Sequence, residues 1–306
     1  MLLNSDVLSD RMTLRDLVVV GGGPAGAVCA RMAAQNDLDV VVLEKESYPR
    51  KKPCGGALSQ RTVNLLDSDL SSVLERDITN AIIHSPSGQD IKLTSDKTVG
   101  YTCSREKLDT FLIEKAMDAG AEVIENTRVV AVEHLRHAVR ALAKGDSHKG
   151  RLLVGADGVN SIVAERAGLR EWNMDEIASC IVADISMNSD QVSQFLVESD
   201  DGTLPIEIFL GVIHGGYGWV FPKANGISIG IGHKLEYEAD MNGSWNAFVS
   251  KLENDRGISI DDSSKMGARI PMTSLDARVT ARRTMLIGDA AGVASSITGE
   301  GIYYSM

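Results

Sequence analysis

Leu17-Val-Val-Val20 is an unbroken apolar run between Asp16 and Gly21, and Val40-Val-Val-Leu43 lies in the same way between Asp39 and Glu44. Runs this short, rich in β-branched residues and bounded by charge or glycine, predict buried strands. The alanine-rich stretch after Pro24 predicts the helix joining them, so a β-α-β unit follows a loosely ordered leader over residues 1–15. A helix is expected over residues 61–70, with short strands at residues 81–84 and 91–93 on either side of Ser85-Pro-Ser-Gly88. Leu108, Phe111, Leu112 and Ala116 recur at helical spacing within residues 105–117. Residues 121–132 read as two strands, residues 151–155 as another buried strand, and a helix is expected from about Asn160.

Between about Ile177 and Ile270 the texture turns to strand candidates, at residues 180–185, 206–210, 218–221 and 227–231, with one helix near residues 245–252. A buried strand returns at Thr284-Met-Leu-Ile-Gly288, and a helix has just begun where the sequence stops at Met306. The expected fold class is α/β, a Rossmann-type nucleotide-binding domain with an inserted sheet-rich α+β substrate domain. Residues 1–75, 101–175 and 275–306 are assigned to the first, and residues 76–100 and 176–274 to the second. With no helix stop signal or polar tail before Met306, a C-terminally truncated fragment is expected.

Composition narrows the partners. Against 42 Asp and Glu the chain has 31 Lys and Arg, a net charge of −11, and no basic run suited to nucleic acid. The short patch Arg50-Lys51-Lys52 reads as a solvated loop. Four cysteines, Cys29, Cys54, Cys103 and Cys180, form no C-x-x-C pair, and the histidines have no metal-ligand spacing. Reduced thiols and no metal are therefore expected. No secretory signal or transmembrane stretch is evident, which points to the cytoplasm, with any membrane contact peripheral at its inner face.

Gly21, Gly23 and Gly26 have the G-x-G-x-x-G spacing at the strand-to-helix turn. The first permits the turn, the second lets backbone approach a pyrophosphate, and the third lets helix pack on strand. The helix amides past Pro24 and Ala25 then favour a diphosphate. Glu44, with Lys45 beside it, ends the second strand about 20 residues on, where a ribose hydroxyl would be held. A dinucleotide is implied; this unit alone leaves FAD and NAD both open.

Three further motifs favour FAD. Ser104-Arg105-x-x-Leu-Asp resembles the FAD-phosphate arginine segment of aromatic-hydroxylase-type flavoproteins. Gly155-Ala156-Asp157-Gly158 resembles their Asp-Gly motif, and Gly288-Asp289-Ala290-Ala291-Gly292 their Gly-Asp motif, whose aspartate accepts a ribitol or ribose hydroxyl. Within that class Lys52-Pro-Cys54-Gly55-Gly56-Ala57-Leu58-Ser59 closely resembles the Lys-x-Cys-Gly-Gly-Gly-Leu-Ser loop of the geranylgeranyl reductases, with Ala57 replacing a third glycine. Tyr217-Gly-Trp219-Val-Phe221-Pro222 matches their Y-x-W-x-F-P signature, and Thr298-Gly299-Glu300-Gly301-Ile302 their segment beneath the flavin. The cysteine loop looks most like the archaeal digeranylgeranylglycerophospholipid reductase branch.

The resemblance implies a GR2-like FAD enzyme that saturates C=C bonds of geranylgeranyl chains, hydride leaving reduced flavin N5 for one alkene carbon while a proton reaches the other. Cys54 to Ala57 are assigned beside the cofactor, and Cys54, between a proline and two glycines, is open to two readings: a catalytic residue that approaches the flavin ring and assists proton delivery or substrate positioning, or a small apolar residue filling a crowded turn. Tyr217, Trp219 and Phe221, on one strand face, with Pro222, would line an isoprenoid channel whose π faces support cationic character. No second G-x-G-x-x-G is present, so electrons would come from NAD(P)H or a protein donor such as ferredoxin. Competing readings are a flavin-dependent monooxygenase of the aromatic-hydroxylase type, a flavin halogenase, whose W-x-W-x-I-P signature is similar, and a flavin-binding protein without catalysis.

Overall fold

The computed structural model describes residues 13–170, 172–196, 202–272 and 277–306. Residues 1–12 of the expected leader lie outside the described residues, and the first strand already begins at Leu14, with Arg15 paired to Asp39 and Glu122. The helices are α1 (Pro24–Ala34), α2 (Gln60–Leu66), α3 (Arg105–Asp118), α4 (Ile162–Ala167), α5 (Ser189–Phe195), α6 (Met241–Arg256) and α7 (Ile302–Ser305).

The larger sheet has eight strands. At its parallel heart Leu14–Val20 lies between Asp146–Gly155 and Val40–Leu43, flanked in turn by Thr284–Leu286 and Glu122–Ile124. Alternation buries both faces of the first strand. Leu17 and Val19 pack with Ala27 and Ala30 of α1 and Leu108 and Leu112 of α3. Val18 and Val20 pack with Val163 of α4 and with Val132 and Val139 of the hairpin Val129–His134/Val139–Ala143. Because the central strands run parallel, their C-terminal ends share one edge, and the turns after Val20 and Gly155 meet there.

A second sheet runs in the order Met266–Pro271, Ile177–Ser186, Gly226–Lys234, Gly216–Lys223, Ile206–Leu210, Asn80–His84, Asp90–Thr94. Its strands are antiparallel except for Ile206–Leu210 against Asn80–His84. One face is sealed by Phe195 of α5 and by Trp245, Phe248 and Leu252 of α6, over Val220, Ile227, Ile229 and Ile231. The opposite face carries Trp219 beside Cys180, with Tyr217 and Phe221 packed against them. A small sheet of Ala57–Ser59, Gly100–Cys103 and Leu74–Ile78 contacts the aromatic strand.

Several boundaries differ from expectation. The first predicted helix beyond the β-α-β unit ends at Leu66, because Asp67 turns left-handed at φ +43°. α6 is longer than predicted, starting where Asp240 accepts the Gly243 amide and stopping at Gly257, φ +68°. α5 and the strand Met266–Pro271 were not anticipated, although the Asn188/Gln191 capping box that starts α5 is legible. Pro222 does not close its strand, which continues to Lys223; the neighbour Ile206–Leu210 reaches only Val220, so the proline has no ladder partner on that side.

Candidate functional site

The glycine turn is built as its spacing implies. Gly21 has φ +99°, and a Cβ there would lie 2.7 Å from the Ala156 carbonyl carbon, which brings the Asp157-Gly158 turn against the first strand. A Cβ at Gly26 would land on the Gly21 carbonyl oxygen. Gly23 is different: a Cβ there meets only Arg50 Nη2, at 3.5 Å. Protein packing therefore does not require glycine at that position, whereas a close ligand would. Gly23 is also the N-cap of α1, with Pro24 at the first helical position and no side chain capping the free amides. These residues fit a dinucleotide diphosphate.

Glu44 is 3% exposed and accepts the amides of Gly22 (2.7 Å) and Glu46 (3.1 Å). A carboxylate has about four acceptor positions, so a ribose hydroxyl can still be taken. Lys45 is exposed at the rim. Asp157 gives one oxygen to the Ser161 hydroxyl (2.5 Å) and the other to the Val163 amide (3.2 Å). Its carboxylate thus shapes the turn by holding the start of α4, and burial raises its pKa. Gly288 packs on α1, where its Cβ would sit 2.8 Å from Ala25 Cβ, and Asp289 Oδ1 lies 3.9 Å from the Cβ position of Gly301. Burial pushes the Asp289 carboxyl up, opposed by Lys52 and Arg105.

Arg105 is fully tied into this group. Its Nε and Nη2 hold Asp109 at 2.8 and 3.0 Å, and Arg50 holds the same carboxylate at 3.0 Å. Burial works against the Arg105 charge, yet Asp109 and Cys54, both facing the guanidinium, together more than restore it. This corrects the reading of Arg50-Lys51-Lys52 as a solvated loop: the Arg50 side chain is 10% exposed, and Lys52 faces Asp289. Long-range pairing folds two of the three charges inward. Tyr48, which donates to the Gly22 carbonyl, Arg50, Lys52 and Asp109 were absent from the expected site. The Ser-Arg-x-x-Leu-Asp pattern did contain Asp109, and a buried acid four residues beyond an arginine was the available signal.

Cys54 leads directly to the aromatic strand. Its sulfur accepts the Gly56 amide at 3.3 Å, and the residue is half-buried. Cys103 and Cys180 are buried, which pushes their thiols up to about 12. A Cβ on Gly55 would stand 2.9 Å from both Phe221 and Trp219 Nε1, so this loop lies on the rings. Gly56 is held over Cys103, whose carbonyl also accepts Lys223 Nζ at 2.6 Å; Ala57 starts the small sheet by pairing with Thr102. Trp219 stands 6.2 Å, centroid to centroid, from Tyr217 on one side and from Phe221 on the other. Tyr217 donates to the Thr298 carbonyl at 3.1 Å and touches Gly299, while Ile302 opens α7. Glycine turn, Arg105, Asp289, cysteine loop, aromatic wall and the segment Thr298–Gly301 form one contiguous set. A hollow of about 570 Å³ lined by Arg31, Asp69, Phe111 and Lys115 involves none of them.

The model of a family described as FAD binding domain matches residues 15–306. A menaquinone reductase of Mycobacterium tuberculosis is 30% identical over 309 residues, spanning 95% of this chain and 74% of that protein. A geranylgeranyl diphosphate reductase of Rhodobacter capsulatus is 32% identical over 301 residues (95% and 72%), and a digeranylgeranylglycerophospholipid reductase of Methanocaldococcus jannaschii 29% over 302 (95% and 74%). A solved structure of a geranylgeranyl bacteriochlorophyll reductase-like protein from Thermoplasma acidophilum superposes with TM-score 0.81 at 25% identity, covering 96% of this chain and 75% of that one.

Proposed function

This chain belongs to the FAD binding domain family, and on that premise we propose that it is a reductase saturating C=C bonds in geranylgeranyl-type chains carried by a lipid. FAD is its cofactor, and when bound and reduced it supplies the hydride. Gly21 to Gly26 and the first turn of α1 take the diphosphate, Glu44 a ribose hydroxyl, and Asp289 a hydroxyl further along. Tyr217, Trp219 and Phe221 lay out the polyprenyl chain and keep water from the carbon that gains positive character. Cys54 Sγ–H releases the proton for the other carbon, and the facing Arg105 guanidinium offsets the thiolate that remains. Relatives named for archaeal lipid substrates support the lipid-bound chain as substrate. No helix among the described residues is long and apolar enough to cross a membrane.

The observation that carries this reading is the contact of Gly55 with Trp219 and Phe221, which joins the cysteine loop to the aromatic wall. The test is mass spectrometry of digeranylgeranyl phospholipid, geranylgeranyl diphosphate and a prenylated quinone, each incubated with FAD-loaded protein and dithionite. A gain of two mass units per reduced bond is expected, with at least a tenfold slower gain in Cys54→Ala. No gain on any substrate, or a hydroxylated product in air with NADPH, would overturn it.

A further inference from the structure

Past α4 lies a pair of side chains that the functional reading does not use. The Arg170 side chain is 3% exposed, and its Cζ lies over the Trp172 ring, 4.0 Å from the centroid. Arg170 Nη1 donates to the Ala291 carbonyl at 2.6 Å, inside the Gly288–Gly292 turn, and Trp172 Nε1 donates to the Val159 carbonyl at 2.9 Å, just past Asp157-Gly158. Both side chains close on Gly292, φ +67°, where a Cβ would stand 2.7 Å from Arg170 Nη2 and 2.8 Å from Trp172. One stacked pair thus links two turns some 130 residues apart in sequence, a separation that follows from their numbering.

We propose that Arg170 and Trp172 are positioning residues, a brace that fixes the spacing between the Asp157-Gly158 turn and the Gly288-Asp289 turn and thereby sets FAD affinity. The inference rests on the reading that both turns border FAD. Ordinary packing does not explain the arrangement well. Among the described residues Arg170 Nε and Nη2 are buried with no hydrogen-bond partner, Glu176 is 3.7 Å away, and burial lowers the Arg170 pKa despite that carboxylate. A buried, underpaired cation is costly to hold in place. Here it is held against a turn whose aspartate must be placed within a fraction of an ångström to take a hydroxyl. The planar fork suits the task, since a guanidinium stacks on an indole while donating sideways and an ammonium does not.

The experiment measures the FAD dissociation constant by flavin fluorescence, the visible flavin spectrum, and thermal unfolding with and without FAD, in wild type, Arg170→Ala, Arg170→Lys and Trp172→Phe. Arg170→Ala is expected to weaken FAD binding at least tenfold and blur the vibronic structure of the flavin band. Trp172→Phe keeps the stack, loses the N–H, and should weaken binding several-fold; Arg170→Lys should fall between. Arg170→Ala/Trp172→Phe should be no worse than Arg170→Ala alone, because the two act as one unit. If Arg170→Ala fails to fold, Trp172→Phe carries the same test. FAD affinity within twofold of wild type in Trp172→Phe and in any folded Arg170 variant, whatever happens to the melting temperature, would overturn the brace alone. Wild-type protein that binds no FAD would overturn the underlying reading and the brace with it.

Discussion

Gly23→Ala separates the fold from the cofactor. The residue has φ −69° and ψ −178°, which alanine adopts freely, and the added Cβ meets only Arg50 Nη2 at van der Waals distance. Alanine is a poorer N-cap than glycine, by about half a kcal/mol or more. A reduced unfolded-state entropy offsets that by about 0.4–1 kcal/mol. FAD-free protein should therefore keep its stability within about 0.5 kcal/mol, or roughly 1 °C at about 2 °C per kcal/mol for a chain this large. The same methyl would occupy the space through which, on the proposed placement, a diphosphate reaches the α1 amides. FAD affinity should fall at least a hundredfold, about 2.7 kcal/mol. Gly26→Ala is the control, since its Cβ falls on the Gly21 carbonyl and should damage the fold itself. The assays are an FAD titration followed by flavin fluorescence and thermal unfolding of FAD-free protein. Wild-type FAD affinity in Gly23→Ala would refute the placement of the diphosphate, and a stability loss matching that of Gly26→Ala would refute the packing argument.

Asp109→Asn leaves Arg50 and Arg105, about nine-tenths buried, without their counter-charge; a loss on the order of 3–5 kcal/mol is expected, seen as a melting temperature lower by about 6–10 °C, and a drop under about 2 °C would refute it. Asp289, raised by burial, favours the folded state fully below the ordinary aspartate pKa of about 4 and loses that contribution as pH rises through its elevated value. FAD-free Asp289→Asn should therefore gain on wild type as pH climbs above about 4 in parallel melts, while binding FAD more weakly; melting curves that stay parallel across that range would refute the assignment.

The β-α-β unit was legible because its strands are buried on both faces and so read as continuous Val and Leu, with the glycine spacing marking the turn between. The aromatic face was legible for a different reason: strand alternation fixes sidedness without any tertiary knowledge. What local pattern does not carry is pairing at long range. Arg50 and Asp109 are 59 positions apart by their numbering, and nothing in Arg50-Lys51-Lys52 distinguishes an inward guanidinium from a solvated one. The Arg170–Trp172 link was equally invisible, because its acceptors are backbone carbonyls, which have no signature in sequence. Asp157 shows an addition: the motif was legible, and its carboxylate also accepts from Ser161 and Val163 at the start of α4, a local contact that such a short motif does not reveal.

Trp219 rests on Gly230, where a Cβ would come within 2.5 Å of its Cη2, and its Nε1 lies 2.9 Å from where a Cβ on Gly55 would stand. One indole thus touches both the neighbouring strand and the loop that carries Cys54, so the seat of each depends on the same ring. A lineage that swapped this ring for a smaller residue would do more than open space on the strand face. It would loosen the seat of the cysteine loop as well, so the room beside the rings and the placement of the thiol would change together.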